Sequence, residues 1–341
     1  MNAARFDAIT GRYEELRVAL IGDFCLDRYL EIDPAKSEVS IETGLEVYNV
    51  VRVRSQPGAA GTILNNLVAL GAAAIYPIGF CGVDGEGYEL RRSLAAMPGV
   101  KLDYFVETDQ RRTFTYCKPL IVEPGKTPRE LNRLDSKNWS ATPSPVESQL
   151  VAGLEKAAPD IDALIVMDQV DVADTGVVTA RVLEAVARIA KQRPELLIMA
   201  DSRRGLRGYP PVGFKMNRAE LAALTGRDAA MKLPEIETTA SGLARSNARP
   251  VFITLSEQGI IGADAKGNVE HARPLPVRGE IDIVGAGDAV TANLSAALAG
   301  GASIREAIDL ANAAASVVIH QLGTTGTASV AQLREVVCCD V

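Results

Sequence analysis

Short unbroken apolar runs recur along the chain at residues 18–21, 75–78, 163–167, 196–200 and 251–255. None alternates apolar with polar positions, so each reads as a strand buried on both faces, as in a parallel sheet. Between them, residues 62–70, 86–96, 145–157, 176–191 and 218–224 carry their apolar positions at helical spacing. Strands and helices in alternation predict repeated βα units and an α/β fold, a doubly wound, mostly parallel sheet flanked by helices. Two Ala-rich helices, 289–298 and 304–320, are expected in the last third of the chain. Two regions break the pattern. Residues 45–54 alternate, and residues 113–122 with 130–135 read as strands separated by the turn Glu123-Pro124-Gly125. They predict a small second β-sheet with lid segments over about 29–56 and 104–137, able to close over a substrate and exclude water. No internal repeat or long linker interrupts residues 1–341, so a single domain is expected.

Composition narrows the chemistry. The 341 residues are 47% hydrophobic but only 5% aromatic, which suits a large aliphatic core. A net charge of −7, with basic residues clustered no further than the pairs Arg91-Arg92, Arg111-Arg112 and Arg203-Arg204, argues against a nucleic-acid partner. No stretch approaches a membrane span, and Arg5, Asp7, Arg12, Glu14 and Glu15 precede any apolar run, unlike a signal peptide; a cytoplasmic protein without a membrane partner is expected. Cys25, Cys81, Cys117, Cys338 and Cys339 form no CxxC, so neither zinc nor a disulfide framework is indicated. With His271 and His320 the only histidines, carboxylates must carry any acid–base work.

The most informative segment is Asp282-Ile283-Val284-Gly285-Ala286-Gly287-Asp288, which runs into the apolar helix at 289–298. Exposed N–H groups and the positive end of a helix hold a phosphate, and the glycines let it come close. A carboxylate beside it, Asp288, suits a base that takes the proton of an attacking alcohol, so phosphoryl transfer is the first expectation. The same residues also describe a Gly-rich turn with Asp as cap. Other phosphate motifs fail. Gly125-Lys126-Thr127 has Leu120 where a P-loop needs Gly, and Pro128 follows; no GxGxxG follows the first strand.

The first strand ends instead at Gly22-Asp23, with Asp27 four residues on, where α/β proteins bind ligands and a carboxylate grips sugar hydroxyls. Each acid read alone also fits a turn cap or a surface ion pair. Small residues open a helix at Pro57-Gly58-Ala59-Ala60-Gly61-Thr62. Asn217 and Glu220 have the spacing of a capping box and equally suit a hydrated magnesium that bridges nucleotide phosphates. Thr254, Ser256 and Gly259 form a strand-to-turn connection able to offer hydroxyls and N–H groups to a nucleotide, or simply a tight turn.

Taken in order, GDFCLDRYL, LVALGA, GVDGEG, NRLD, TLSEQGI, GAGD and NAAASVVIHQLGT resemble the ribokinase-like (PfkB) family of carbohydrate kinases over about residues 18–329. They are most similar to the kinase half of the heptose-phosphate kinase/adenylyltransferase group; no segment like the adenylyltransferase half is present. The resemblance implies ATP as co-substrate and Mg²⁺. Asp288 matches the catalytic base, and Gly285, Ala286 and Gly287 match the anion hole. Asn217 and Glu220 match the pair linked to magnesium through water, Thr254 and Gly259 the nucleotide-phosphate turn, and Asn312 a helix bordering adenine. Asp282 matches an acid near a monovalent-cation (K⁺) site, and Asp27 the acid that binds acceptor hydroxyls. A homodimer through the lid sheet is implied by the family only.

Departures are specific. The family's Gly-Gly and Asn loop aligns as Gly58-Ala59-Ala60-Gly61-Thr62, with Ala59 for the second Gly and Thr62 for Asn, so sugar contacts are altered. Ile283 and Val284 stand where Thr is common, which leaves only backbone carbonyls for a cation. Arg203 and Arg204, with Lys118 and Arg133 of the lid, suit an acceptor that already bears a phosphate. The expected function is ATP-dependent phosphorylation of a hydroxyl on a sugar or sugar phosphate. A nucleoside acceptor, or a non-catalytic sugar sensor on the same scaffold, remains the alternative.

Overall fold

The apolar runs become the centre of the molecule. The computed structural model describes residues 1–338, and Cys339 lies outside them. Among these residues nine strands form one sheet, ordered Val269–Ala272, Ile260–Ala263, Val251–Thr254, Gly213–Asn217, Leu197–Ser202, Ala163–Asp168, Arg17–Gly22, Ala74–Gly82 and Phe105–Thr108. The last seven run parallel, and the first two complete the edge antiparallel. Both faces are covered, which is why the strands did not alternate: Ala163–Asp168 is buried at every position. Along Arg17–Gly22, Ala19 and Ile21 point into one core and Val18 and Leu20 into the other, the two-residue period of a strand. Ser144–Ala157, Ala180–Gln192 and Leu233–Asn247 cover the first face; Ala60–Ala69, Gly85–Ala95, Ala286–Ala299 and Ile304–Val318 cover the second.

Chain direction puts a crevice at a definite place. From the central Arg17–Gly22 the chain moves outward through Ala74–Gly82 and Phe105–Thr108, then returns to the other side at Ala163–Asp168. The strand order reverses there, and the crevice at the carboxyl ends of such strands is where ligands bind. Asp23, Asp168, Asp201, Asn217 and Thr254 all stand at those ends.

A second sheet rises from the same spot. One residue after the central strand, Phe24–Ile32 enters it, flanked antiparallel by Val50–Ala59 and parallel by Phe114–Ile121. Leu134–Ser136 and Arg129–Glu130 extend the far edge, and Glu38–Val39 with Glu46–Val47 form a separate ribbon. This is the α/β arrangement expected, a doubly wound, mostly parallel sheet with a small accessory sheet. Details differ. Residues 45–54 are not one strand: the ribbon takes 46–47, and the strand proper runs Val50–Ala59. The helix expected from 176 starts at Ala180, because Thr179 caps it by accepting from the N–H of Val182. Among the described residues no helix is long and apolar enough to cross a membrane, and Cys25, Cys81, Cys117 and Cys338 are free thiols.

Candidate functional site

The helix Ala286–Ala299 opens the site. Its N-cap, Gly285, lies at φ 83°, a left-handed conformation that disfavours any side chain, and no side chain caps the helix. A Cβ on Gly285 would stand 3.3 Å from Thr325 Cβ and 3.4 Å from Thr62 Cγ2, so both threonines crowd this turn. Gly287 is exposed and Gly285 and Ala286 partly so, which leaves the first turn open to the crevice. Asp288 stands in that turn. Part of its surface faces the crevice while protein packs around the rest, and burial followed by the negative charge of Asp201 pushes its carboxyl up to about 7. Lys215 opposes that rise and Asp27 adds to it.

Asp27 lies on the opposite wall. It is 4% exposed, on the strand Phe24–Ile32, with Lys118 Nζ 3.5 Å from its Oδ1. Burial raises its carboxyl, and Lys118 works against that. A Cβ on Gly58 would come within 2.6 Å of Asp27 Oδ2 and 2.8 Å of Cys25 Sγ, so glycine there makes room for the carboxylate. Next to it, Ala59 holds φ 54° and ψ −117°, a conformation that suits glycine and strains alanine. The family's second glycine is missing at the position whose backbone asks for it. Thr62 is buried against Gly285.

Asp23, expected as a substrate contact, is otherwise engaged. Its Oδ1 accepts from the N–H of Val177 at 2.7 Å and its Oδ2 from the N–H of Gln169 at 2.8 Å, bracing the crevice floor. Burial, then Asp168, pushes this carboxyl also up to about 7. Arg204 is drawn away by Asp168, 2.7 Å from its guanidinium. Arg203 is 3.5 Å from Asp171, and Arg133 pairs with Asp135 at 2.9 Å while lying over the Tyr116 ring. Each of the four cations expected to meet an acceptor phosphate thus has a carboxylate partner in this structure, and of the four Lys118 and Arg133 lie at the second sheet.

On the nucleotide side, Asn217 Oδ1 accepts from the N–H of Glu220 at 2.9 Å and Glu220 Oε2 accepts from the N–H of Asn217 at 2.7 Å, a complete capping box. The box engages only Oε2 of Glu220. One carboxylate oxygen at a crevice edge fits a magnesium ion that keeps most of its waters; among the described residues no cluster of three or more metal-ligating side chains occurs. Thr254 ends its strand, Ser256 lies at φ 51°, and Gly259 at φ 84° closes the turn as its C=O accepts from the N–H of Leu255 at 2.8 Å. Asn312 donates to the carbonyl of Arg273 at 2.6 Å, beside a groove of about 490 Å³ lined also by His271 and Leu275. Asp282 accepts from the N–H groups of Val284 at 3.0 Å and Gly323 at 3.3 Å, so its carboxylate pins the loop before the helix. A groove of about 540 Å³ lined by Val83, Tyr88 and Arg92 contains none of these residues.

Two features escaped sequence reasoning. Lys215 Nζ, Asp201 Oδ2 and Thr291 Oγ1 form a buried cluster under the helix start; a lysine inside a buried strand was the signal available. Gln56 of the second sheet donates to Thr325 at 2.6 Å, linking that sheet to the loop over Gly285.

Comparison with known proteins places these residues in context. The sequence profile described as "pfkB family carbohydrate kinase" matches residues 18–331. The bifunctional protein HldE of Azorhizobium caulinodans is 31% identical over 313 residues, covering 90% of this chain and 61% of that protein. HldE of Gluconacetobacter diazotrophicus is 30% identical, covering 94% and 63%. The chain thus spans less than two thirds of the length of these relatives. Among solved structures, Arabidopsis thaliana ribokinase complexed with ribose and ATP superposes with a TM-score of 0.66 at 16% identity, covering 94% of this chain and 98% of that one. Escherichia coli phosphofructokinase-2 in complex with substrates and products gives 0.69 at 20%, covering 94% and 97%. At such identities the superpositions speak for the fold.

Proposed function

Because the chain belongs to the pfkB family of carbohydrate kinases, we propose that it transfers the γ-phosphoryl group of ATP to a hydroxyl of a sugar or sugar phosphate, heptose 7-phosphate-like acceptors included. One observation carries the reading: the carboxylate of Asp288, in the first turn of an open helix start, lies near enough to the buried carboxylate of Asp27 to feel its charge. Asp27 accepts hydrogen bonds from acceptor hydroxyls and orients one toward Asp288, which takes its proton as that oxygen attacks the γ-phosphorus. The backbone N–H groups at 285–287 meet the charge that develops on the transferring group. Glu220, with Asn217, would hold magnesium through water, and the ion would supply neutralisation of the nucleotide phosphates. Arg133, Arg203 and Lys118 favour an acceptor that carries its own phosphate.

The test is ADP release from ATP and magnesium across sugars, sugar phosphates including heptose 7-phosphate and fructose phosphates, and nucleosides. Release that depends on a sugar phosphate supports the reading; release with nucleosides alone replaces it. Sugar binding without any release would make the protein a sensor. The pH profile is a second check. Asp288 must be ionised to act and its carboxyl is pushed up to about 7, so kcat/KM should fall about tenfold per unit as pH drops below that value and level off above it.

The second sheet serves as the lid in this reading. Amide exchange in residues 45–54 and 113–135 should slow at saturating acceptor, and unchanged exchange would remove the lid. Val51 and Val53 of this sheet and Val39, Ile41 and Leu45 of the neighbouring ribbon are exposed, which supports a homodimer through this region.

A further inference from the structure

Lys215 takes no part in the steps above, yet it occupies an unusual place. It stands third in Gly213–Asn217, inside the parallel sheet, and is 7% exposed. A buried ammonium is costly without partners. Its Nζ is 2.8 Å from Asp201 Oδ2, and Thr291 Oγ1 donates to the same oxygen at 2.8 Å. One carboxylate thus ties the strand of Lys215 to the helix of Asp288. The Nζ also lies 3.3 Å from the point where a Cβ on Gly287 would stand, so the missing side chain admits the charge directly beneath the anion hole. The close carboxylate of Asp201 offsets the cost of burying the ammonium.

The surrounding charges are Asp201 on the neighbouring strand, Glu220 on the helix after Asn217, and Asp27 with its partner Lys118 across the crevice. Burial holds the thiol of Cys25, beside Asp27, in its neutral form. We propose that Lys215 is a positioning residue for phosphoryl transfer: anchored on Asp201 beneath Gly287, its ammonium keeps Asp288 charged for proton abstraction and the anion hole positive. The inference rests on Asp288 being the base. A purely architectural pair would make Lys215 and Asp201 act alike when removed. An electrostatic role makes them act oppositely, because a cation favours the carboxylate form of Asp288 and a second carboxylate opposes it.

The test is the acid limb of kcat/KM in Lys215→Met, Asp201→Asn and the double variant. Lys215→Met should move the limb up by about one pH unit or more, so that loss at pH 6.5 exceeds loss at pH 8.5 by about sixfold or more. Asp201→Asn should move it down, and adding Lys215→Met to that background should move it back up. The last comparison survives even if Lys215→Met alone fails to fold, since the double variant leaves neither charge buried without its partner. Asp23 answers first to burial and Asp168, so a limb that follows Lys215 is not that of Asp23. A limb unmoved in both backgrounds, with rates lowered equally at every pH, overturns the proposal. Near wild-type turnover in Asp288→Asn would instead remove the base on which it rests.

Discussion

Asp288→Asn should lower turnover roughly 10²–10⁴-fold, the usual worth of a positioned general base, and should do so without loss of fold. Asn keeps the size of the side chain and can still follow Gly287 into the first helical turn, so the backbone of the anion hole is undisturbed. Stability adds a second readout with a definite sign. A carboxyl pushed up to about 7 in the folded state stabilises the protein below its unfolded value, and that contribution is lost as pH rises through 7. Above pH 7 the wild type carries a charge its surroundings disfavour, and the neutral variant does not. Melting at pH 8 should therefore show Asp288→Asn no less stable than wild type. Turnover within tenfold of wild type would end the role of Asp288 as base; low turnover with a lowered melting temperature would mean that damage to the fold is being measured.

The features that were legible in the sequence are those whose cause is local. An unbroken apolar run means burial on both faces, and the sheet core at 18–21, 163–167 and 251–255 follows from that alone. A glycine-flanked acid at a helix start is likewise written in consecutive residues. The strand Phe24–Ile32 was not legible, since Asp27 and Arg28 sit inside it for reasons that lie elsewhere in the chain: Asp27 meets Lys118 and Arg28 meets Glu86 and Glu89. The cluster of Lys215, Asp201 and Thr291 joins residues 14 and 90 positions apart, and only the sheet register and the packing of the helix on it bring them together. Ala59 shows the reverse case. Its departure from glycine was visible, but the strain it implies needed the backbone angle.

The acceptor side should fail as sharply as the base. Asp27→Ala removes a buried carboxylate able to accept two hydroxyl hydrogen bonds, each worth about 1.5–3 kcal/mol to a charged group, so kcat/KM for the acceptor should drop roughly 10²–10⁴-fold. Lys118, 3.5 Å away and largely buried, would be left without its partner, which adds to the loss. The nucleotide turn at Thr254–Gly259 is built by other elements, and affinity for Mg-ATP should stay within about twofold of wild type, since distant sites act independently. Gly58→Ala tests the same carboxylate without deleting it. The added methyl must displace both Asp27 Oδ2 and Cys25 Sγ, each closer than 3 Å to its position, so acceptor KM should rise about tenfold with a smaller change in kcat. An unchanged acceptor KM in both variants would move the acceptor away from Asp27. Weakened Mg-ATP binding in either would mean that the two walls of the crevice are coupled through the second sheet, by way of Gln56 and Thr325.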